Sequence, residues 1–381
     1  MRTLGDYLDV AGGRPAGFDY MRLILAFLVV IGHAYNVAEG EIANRILWIT
    51  FPIGAVKSAI LPMFFALSGF LVAGSMIRCR TLVKFMGLRF IRIYPALAVE
   101  VLLTALLLGP FVTQLSIGEY FTDPGFFRYL VNVTGHVTIF LPEVFSANPR
   151  PDIANEQLWT VPFELYCYIV LGILIFIGAK RSNKILLAGT AVFFGLVLLR
   201  IGIVNDWVFP DWDGPVSGYM LVVSFLVGVC LYVFRNRIPT SPALILVVSA
   251  VTLATFTWAP QDRILGCFPA AYLTVMLGVL NPRRNWLVNG ADYSYGMYLY
   301  HYVILQTVIH VAGGELSWYW TLIFSMPFIV AFSALSWHVV EKPALMQKLR
   351  LDTLEGWHIR RLEQRSDEVS EGGQVRSSNS L

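Results

Sequence analysis

Ten apolar runs of bilayer-spanning length leave this chain few possible folds. They lie at roughly 18–37, 53–76, 93–112, 159–179, 185–204, 216–234, 242–258, 264–280, 292–311 and 318–340. About 20 apolar residues coiled as a helix match a hydrocarbon core of about 30 Å, and lipid offers the backbone no hydrogen-bond partners. The predicted fold class is therefore an all-α polytopic integral membrane protein with about ten transmembrane helices. The runs at 242–258 and 264–280 are short and joined by APQDR, which widens the expected number to nine to eleven. Composition agrees, with 56% hydrophobic and only 14% charged residues, against about 25% charged in soluble domains.

The placement of charge carries more than the net value of +3. Arg78, Arg80, Lys84, Arg89 and Arg92, then Lys180, Arg181 and Lys184, then Arg235 and Arg237, then Arg283 and Arg284 all fall on one side if ten helices alternate. The connections on the other side carry Glu39, Glu41, Asp123, Glu143, Asp152, Glu156, Asp206, Asp211, Asp213 and Glu315. The positive-inside rule then predicts both termini in the cytoplasm. The expected organisation is a cytoplasmic segment at 1–17, a membrane domain at 18–345 and a charged cytoplasmic tail at 346–381 whose last dozen residues are disordered. The basic, apolar segment 81–94 is expected as a helix on the cytoplasmic surface. The long, Pro-rich connection 113–158 is expected to cover part of an outer cleft.

Several classes are disfavoured. Cys79, Cys167, Cys230 and Cys267 show no CxxC spacing and read as buried thiols. No P-loop, GxGxxG, HExxH or zinc spacing occurs, so no metal is expected. No basic–aromatic pattern on a soluble domain suggests nucleic acid. The first seventeen residues lack the apolar core and cleavage site of a signal peptide.

The chemistry lies where ionisable groups interrupt apolar runs, since such groups are costly in a membrane. In FDYMRLILAFLVVIGHAY (18–35), Arg22 and His33 are eleven residues apart, on one helical face and separated by about 16 Å. Arg22 suits an anionic ligand, and His33 suits acid–base or nucleophilic work. Arg89 and Arg92 in RFIRIYPAL share a face and form a candidate phosphate clamp, with attraction to headgroups as the plainer reading. Glu164 in QLWTVPFELYCY needs a partner or a proton in the membrane and is a candidate to pair with His33 or to bind a sugar hydroxyl. Trp159, Tyr166 and Tyr168 fit an interfacial belt or a sugar-stacking surface. In DYSYGMYLYHY, His301 and Tyr298 are placed to share a cavity with His33. Ser68 in FFALSGFLVAGS sits among small residues that helix packing alone explains. His310 is expected to be a plain interfacial histidine, and His136 and His358 carry little signal. Glu341 and Lys342 are expected at the interface, with a structural ion pair to the basic loops as a further option.

These elements in this order, with VVEKPAL closing the membrane domain, resemble the membrane-bound acyltransferase-3 family, which includes bacterial O-acetyltransferases of lipopolysaccharide, exopolysaccharide and Nod factor. The resemblance runs from about residue 18 to 345 and matches the stand-alone type, without an appended soluble domain. It implies a bacterial inner-membrane enzyme that takes an acyl group, acetyl by default, from cytosolic acyl-CoA and passes it to a hydroxyl of an extracytoplasmic carbohydrate. Acyl-CoA would be a co-substrate, with no permanently bound cofactor. The family's essential arginine and histidine correspond to Arg22 and His33, its donor-handling arginine pair to Arg89 and Arg92, and its Trp–Glu element to Trp159 and Glu164. The candidate catalytic set is His33, Glu164 and His301. Arg22, Arg89 and Arg92 are the expected donor contacts, and Trp159, Ser68 and Tyr298 the expected substrate contacts. Thr160 stands where many relatives have serine, and Val303 where a proline is common. Either Glu164 or His301 could orient the His33 imidazole, and direct transfer and an acyl-histidine intermediate both remain open. The rival reading is a proton-coupled transporter of a lipid-linked sugar or small metabolite, using His33, Glu164 and His301 as a relay.

Overall fold

A computed structural model describes residues 2–204, 217–258, 263–285, 288, 290–353 and 355–356. The acidic connection at 205–216, most of the APQDR turn, His358 and the expected disordered end of the chain lie outside the described residues.

The molecule is helical, with one two-stranded ribbon joining β1 (Arg2–Thr3) to β2 (Pro239–Thr240). Short α1 (Leu4–Val10) begins at a capping box in which Thr3 and Asp6 satisfy each other's backbone N–H. Two long helical stretches follow, α2 (Ala16–Ile49), which is kinked at Gly40 where the backbone leaves helical values (φ 78°), and α3 (Ile53–Arg78), then α4 (Leu82–Leu102). A π-helical stretch (Leu103–Leu108) carries α4 into α5 (Gly109–Val112), and α6 (Ile117–Thr122) and α7 (Pro124–Leu130) lie in the long connection. The remainder comprises α8 (Val161–Phe176), α9 (Asn183–Val204), α10 (Gly218–Val233), α11 (Pro242–Trp258), α12 (Cys267–Gly278), α13 (Ser294–Val311), α14 (Trp318–Leu335) and α15 (Lys342–Met346).

Every apolar run is occupied by a helix. Among the described residues, six helical stretches are long and apolar enough to cross a membrane: Ala16–Ile49, Ile53–Arg78, Leu82–Val112, Glu156–Phe176, Asn183–Arg200 and Trp318–Thr353. Helices over Gly218–Val233, Pro242–Trp258 and Ile264–Gly278 are apolar but shorter. Large side chains such as Phe111 (84% exposed) and Phe176 (81%) project from the bundle. Such apolar exteriors suit lipid rather than water.

The sequence separates a surface helix at 81–94 from a span at 93–112, whereas the structure runs both together as α4. Phe85, Ile93, Ala96, Leu97 and Val101 all turn into the core, so one buried stripe continues across the expected boundary. Pro95 lies inside the helix without ending it. At the bundle centre α3 and α10 cross with backbones touching. A Cβ at Gly69 would stand 2.0 Å from the Phe225 carbonyl oxygen, and one at Gly228 2.1 Å from that of Ala66. Only glycine permits this crossing.

The connection 113–158 is an ordered cap. Tyr120, Tyr129 and Phe145 are fully buried in it, and backbone bridges join Thr113 to Val144 and Phe140 to Ile153. At the other end of the bundle the chain after α14 lies back along α4. The Glu355 carboxylate accepts from the Arg80 and Thr81 amides, each at 2.8 Å, and pairs with Lys84 at 2.8 Å. Asp352 pairs with Lys84 at 2.7 Å.

Candidate functional site

Helix α2 presents its two ionisable residues to two different cavities. His33 lines one of about 270 Å³ together with Asn36, Lys57, Arg150, Glu156, Trp159 and Tyr298. Arg22 lines another of about 200 Å³ with Ser68, Arg89, Arg92, Thr160, Glu164, Tyr168, Tyr295 and Tyr298. Tyr298 and Leu61 border both. The Tyr298 hydroxyl shares a 2.6 Å hydrogen bond with Thr160 and donates to the Gln157 carbonyl at 3.0 Å.

His33 Nδ1 lies 2.7 Å from His301 Nε2. The ring planes are within 9° of each other with centroids 5.0 Å apart. Nitrogens this close cannot belong to rings stacked face to face, so the bond runs edge to edge, along the in-plane lone pair. The partners assign the protons. His301 Nδ1 faces the carbonyl oxygens of Met297 (3.0 Å) and Tyr298 (2.9 Å), which can only accept, so Nδ1 carries the hydrogen. In a neutral ring His301 Nε2 is then an acceptor, and His33 Nδ1–H must donate to it. This leaves the lone pair on His33 Nε2, the atom a base or nucleophile needs. His301 is fully buried, and the Tyr302 ring meets His33 edge-on at 5.3 Å. One turn beyond His33, Asn36 donates to Glu156 at 2.5 Å, and Tyr302 donates to the same carboxylate oxygen at 2.9 Å.

The arginine cavity is held by carboxylates. Arg22 and Arg92 donate to the same Asp292 oxygen, at 2.5 and 2.6 Å, and Ser294 donates to the other at 2.5 Å. Arg92 also reaches Glu341 at 3.3 Å; Glu341 is buried rather than interfacial, and the ion pair, the second option for it, is what forms. Arg89 differs from its neighbours. Its contacts are a long 3.4 Å bond to Ser75 and the rings of Phe85 and Tyr168, and its buried Nε has no partner. Of the three arginines, it is the one without a carboxylate partner among the described residues, and it is open to an anion.

The structure therefore brings His33 and His301 together and keeps Glu164 apart from them. Glu164 accepts a 2.6 Å bond from Tyr168, one turn along α8, and lines the arginine cavity. Trp159 borders the histidine cavity, Tyr168 is buried beside the arginines, and Tyr166 points outward, so the three aromatics have different surroundings. Ser68 also faces the arginine cavity. His310 stacks edge-on with Phe145, and its buried Nδ1 has no partner. Sequence reasoning missed Asp292, Lys57, Asn36, Arg150 and Glu156 as site residues. Asp292 had a visible signal, as an acid heading an apolar run that also contains His301.

Comparison with known proteins agrees with this chemistry. The acyltransferase-3 family model, described as an acyltransferase domain, matches residues 16–338. An O-acetyl transferase of Shigella phage Sf6 is 28% identical over 351 residues, covering 88% of this chain and 98% of that protein. Nodulation protein 10 of Rhizobium leguminosarum bv. viciae is 28% identical over 381 residues, covering 91% of this chain and 97% of that protein. No solved structure matches significantly. With the family model spanning most of its length, the chain belongs to the acyltransferase-3 family and is a multi-pass membrane acyltransferase.

Proposed function

We propose that the protein is an O-acyltransferase of a bacterial inner membrane. It moves an acyl group, acetyl by default, from cytosolic acyl-CoA to a hydroxyl of an extracytoplasmic carbohydrate. Ten crossings with both termini in the cytoplasm fit this reading. Basic residues cluster where α2 begins and α3 ends, and the Arg22 end of the bundle then faces the cytosol. The observation that carries the proposal is the His33–His301 pair, which leaves a lone pair at His33 Nε2. It stands on the same helix as Arg22 and one cavity away from the unpaired Arg89.

The donor's phosphates engage Arg89, assisted by Arg22 and Arg92, whose carboxylate partners keep them charged and fixed. Its pantetheine arm runs through the arginine cavity to the junction at Tyr298. In the histidine cavity, Nε2 of His33 takes the proton from the acceptor hydroxyl as its oxygen attacks the thioester carbonyl carbon. The carbon–sulfur bond breaks, and the thiolate leaves with that proton as free CoA. The Tyr298 hydroxyl stands at the junction, where turning its one proton away from the Gln157 carbonyl makes it a donor to the developing oxyanion. His301 accepts the Nδ1–H of His33 throughout and spreads the positive charge formed on the first ring.

The test uses purified protein in nanodiscs with labelled acetyl-CoA and surface glycan from a strain lacking the gene. Label is expected in the glycan, with equimolar CoA release, and His33→Ala protein should give both at least about 100-fold more slowly. Normal O-acetyl signals in glycan from a strain carrying only His33→Ala would refute the assignment. A transporter would give no acyl-CoA-dependent product.

A further inference from the structure

Among the described residues, one cation on the histidine cavity has no carboxylate in contact. Besides His33, the ionisable side chains lining it are Glu41, Arg45, Lys57, Arg150 and Glu156. Every carboxylate oxygen is engaged. Glu41 holds Arg45 at 2.7 Å through one oxygen and Arg150 at 3.0 Å through the other. Glu156 holds Arg150 at 3.3 Å through one oxygen, and its other oxygen accepts from Asn36 and Tyr302. Among the described residues, Lys57 has no such partner. Its ammonium donates to the Asn44 amide oxygen and lies 4.3 Å from the centre of the Trp48 ring.

Lys57 lies close to the reacting group as well as on the same cavity. It stands about one turn into α3, and its stem passes over the residue before His33. A Cβ built at Gly32 would be 3.6 Å from Lys57 Cε. A lysine near a helix end often extends toward headgroups, but the Asn44 bond and the Trp48 face hold this one in the cavity wall. A half-buried cation with no carboxylate in contact is costly to keep. A ligand that brings a negative charge removes that cost.

Resting on the acyl-transfer reading above, we propose that the acceptor is an anionic saccharide and that Lys57 binds its negative group beside the hydroxyl taken by His33. A carboxylate on the sugar and a phosphate on the saccharide or its carrier share the chemistry that Lys57 recognises. Trp159 on the same cavity offers a face for the sugar ring.

The experiment supplies the nanodisc enzyme with three forms of the glycan from the deletion strain: native, carboxyl-reduced, and dephosphorylated with cold hydrofluoric acid. One treatment should lower wild-type kcat/KM for the glycan by about 30-fold, the usual cost of losing one partner of a desolvated charge pair. The treatment that does so identifies the anion as carboxylate or phosphate. Lys57→Met should use native glycan as poorly as wild type uses the treated form, with donor KM unchanged. Lys57→Arg should keep most of the discrimination. Equal use of all three forms by wild type overturns this inference and leaves acyl transfer standing. So does an equal loss on all three forms in Lys57→Met. No label in any form overturns the acyl-transfer reading, and this inference falls with it.

Discussion

His301→Leu separates a positioning histidine from a packed one. Leucine fills a comparable volume at a fully buried site but cannot accept the 2.7 Å bond from His33 Nδ1–H. In the variant, a proton kept on Nδ1 is an unsatisfied buried donor. The cheaper state moves it to Nε2, which removes the lone pair that the reaction needs. A buried hydrogen bond left unmade costs about 1–3 kcal/mol, which corresponds to a fall of about 5- to 150-fold in kcat. His33→Ala removes the base itself, and its loss should be larger, about 10²- to 10⁴-fold. Donor KM should stay unchanged in His301→Leu, because the arginine cavity is untouched. His301→Gln, which restores an acceptor oxygen, should recover most of the rate. In the His33→Ala background, His301→Leu should have no further effect, since the two residues act as one unit. The assay is initial-rate transfer from labelled acetyl-CoA in nanodiscs, with size-exclusion profiles to certify folding. A His301→Leu rate within twofold of wild type refutes the tautomer argument, and so does a further loss in the His33→Ala background.

Arg89→Ala should raise donor KM by about 10- to 100-fold, the value of a charge-assisted contact, and leave glycan KM alone; inhibition by free CoA gives an independent readout. Asp292→Asn leaves Arg22 and Arg92 without their shared counter-charge and should cost about 3 kcal/mol of stability, seen as a lower Tm in detergent. For Glu355, burial opposes ionisation, but Lys84 and the Thr81 and Arg80 amides hold its pKa below the usual glutamate value. A folded pKa below the unfolded one means that this contact stabilises fully at neutral pH and is lost as pH falls through the folded value. The protection factors of the Arg80 and Thr81 amides, taken against their intrinsic exchange rates at each pH, should therefore fall on acidification, and Glu355→Gln should show the low protection already at pH 7. Unchanged exchange in Glu355→Gln would mean that the tail does not cap α4.

The sequence carried the helices well because hydropathy is local and a bilayer selects for it. It also placed Arg22 and His33 on one helix, and both lie in α2. It gave no sign that Leu61 and Tyr298 divide the space beside that helix into two cavities. The choice between Glu164 and His301 as partner to His33 depended on geometry across 268 residues, between α2 and α13. Glu164 lies four residues past Thr160, and that one turn carries it beyond the Thr160–Tyr298 contact into the arginine cavity. Hydropathy also divided α4 at its basic residues, because it registers charge but cannot see that the buried face continues.

The cap shows a second kind of illegibility. Glu143, Phe145 and Asp152 take left-handed backbone conformations, with φ of 49°, 57° and 62°, yet none is the glycine that would flag such a turn. The path they impose brings Arg150 between Glu41 and Glu156, and brings Asn148 onto Gln306 of α13 at 2.8 Å. Non-glycine residues hold this conformation only where surrounding contacts over-determine it, and Phe145 is fully buried against the cap. The cap thus fixes the Arg150 charge by its own packing rather than by a local sequence signal. Arg150 holds both Glu41 and Glu156, and neither carboxylate is in contact with Lys57. The lysine beside His33 has no carboxylate partner among the described residues, and the acceptor specificity it sets is written in residues that no motif includes.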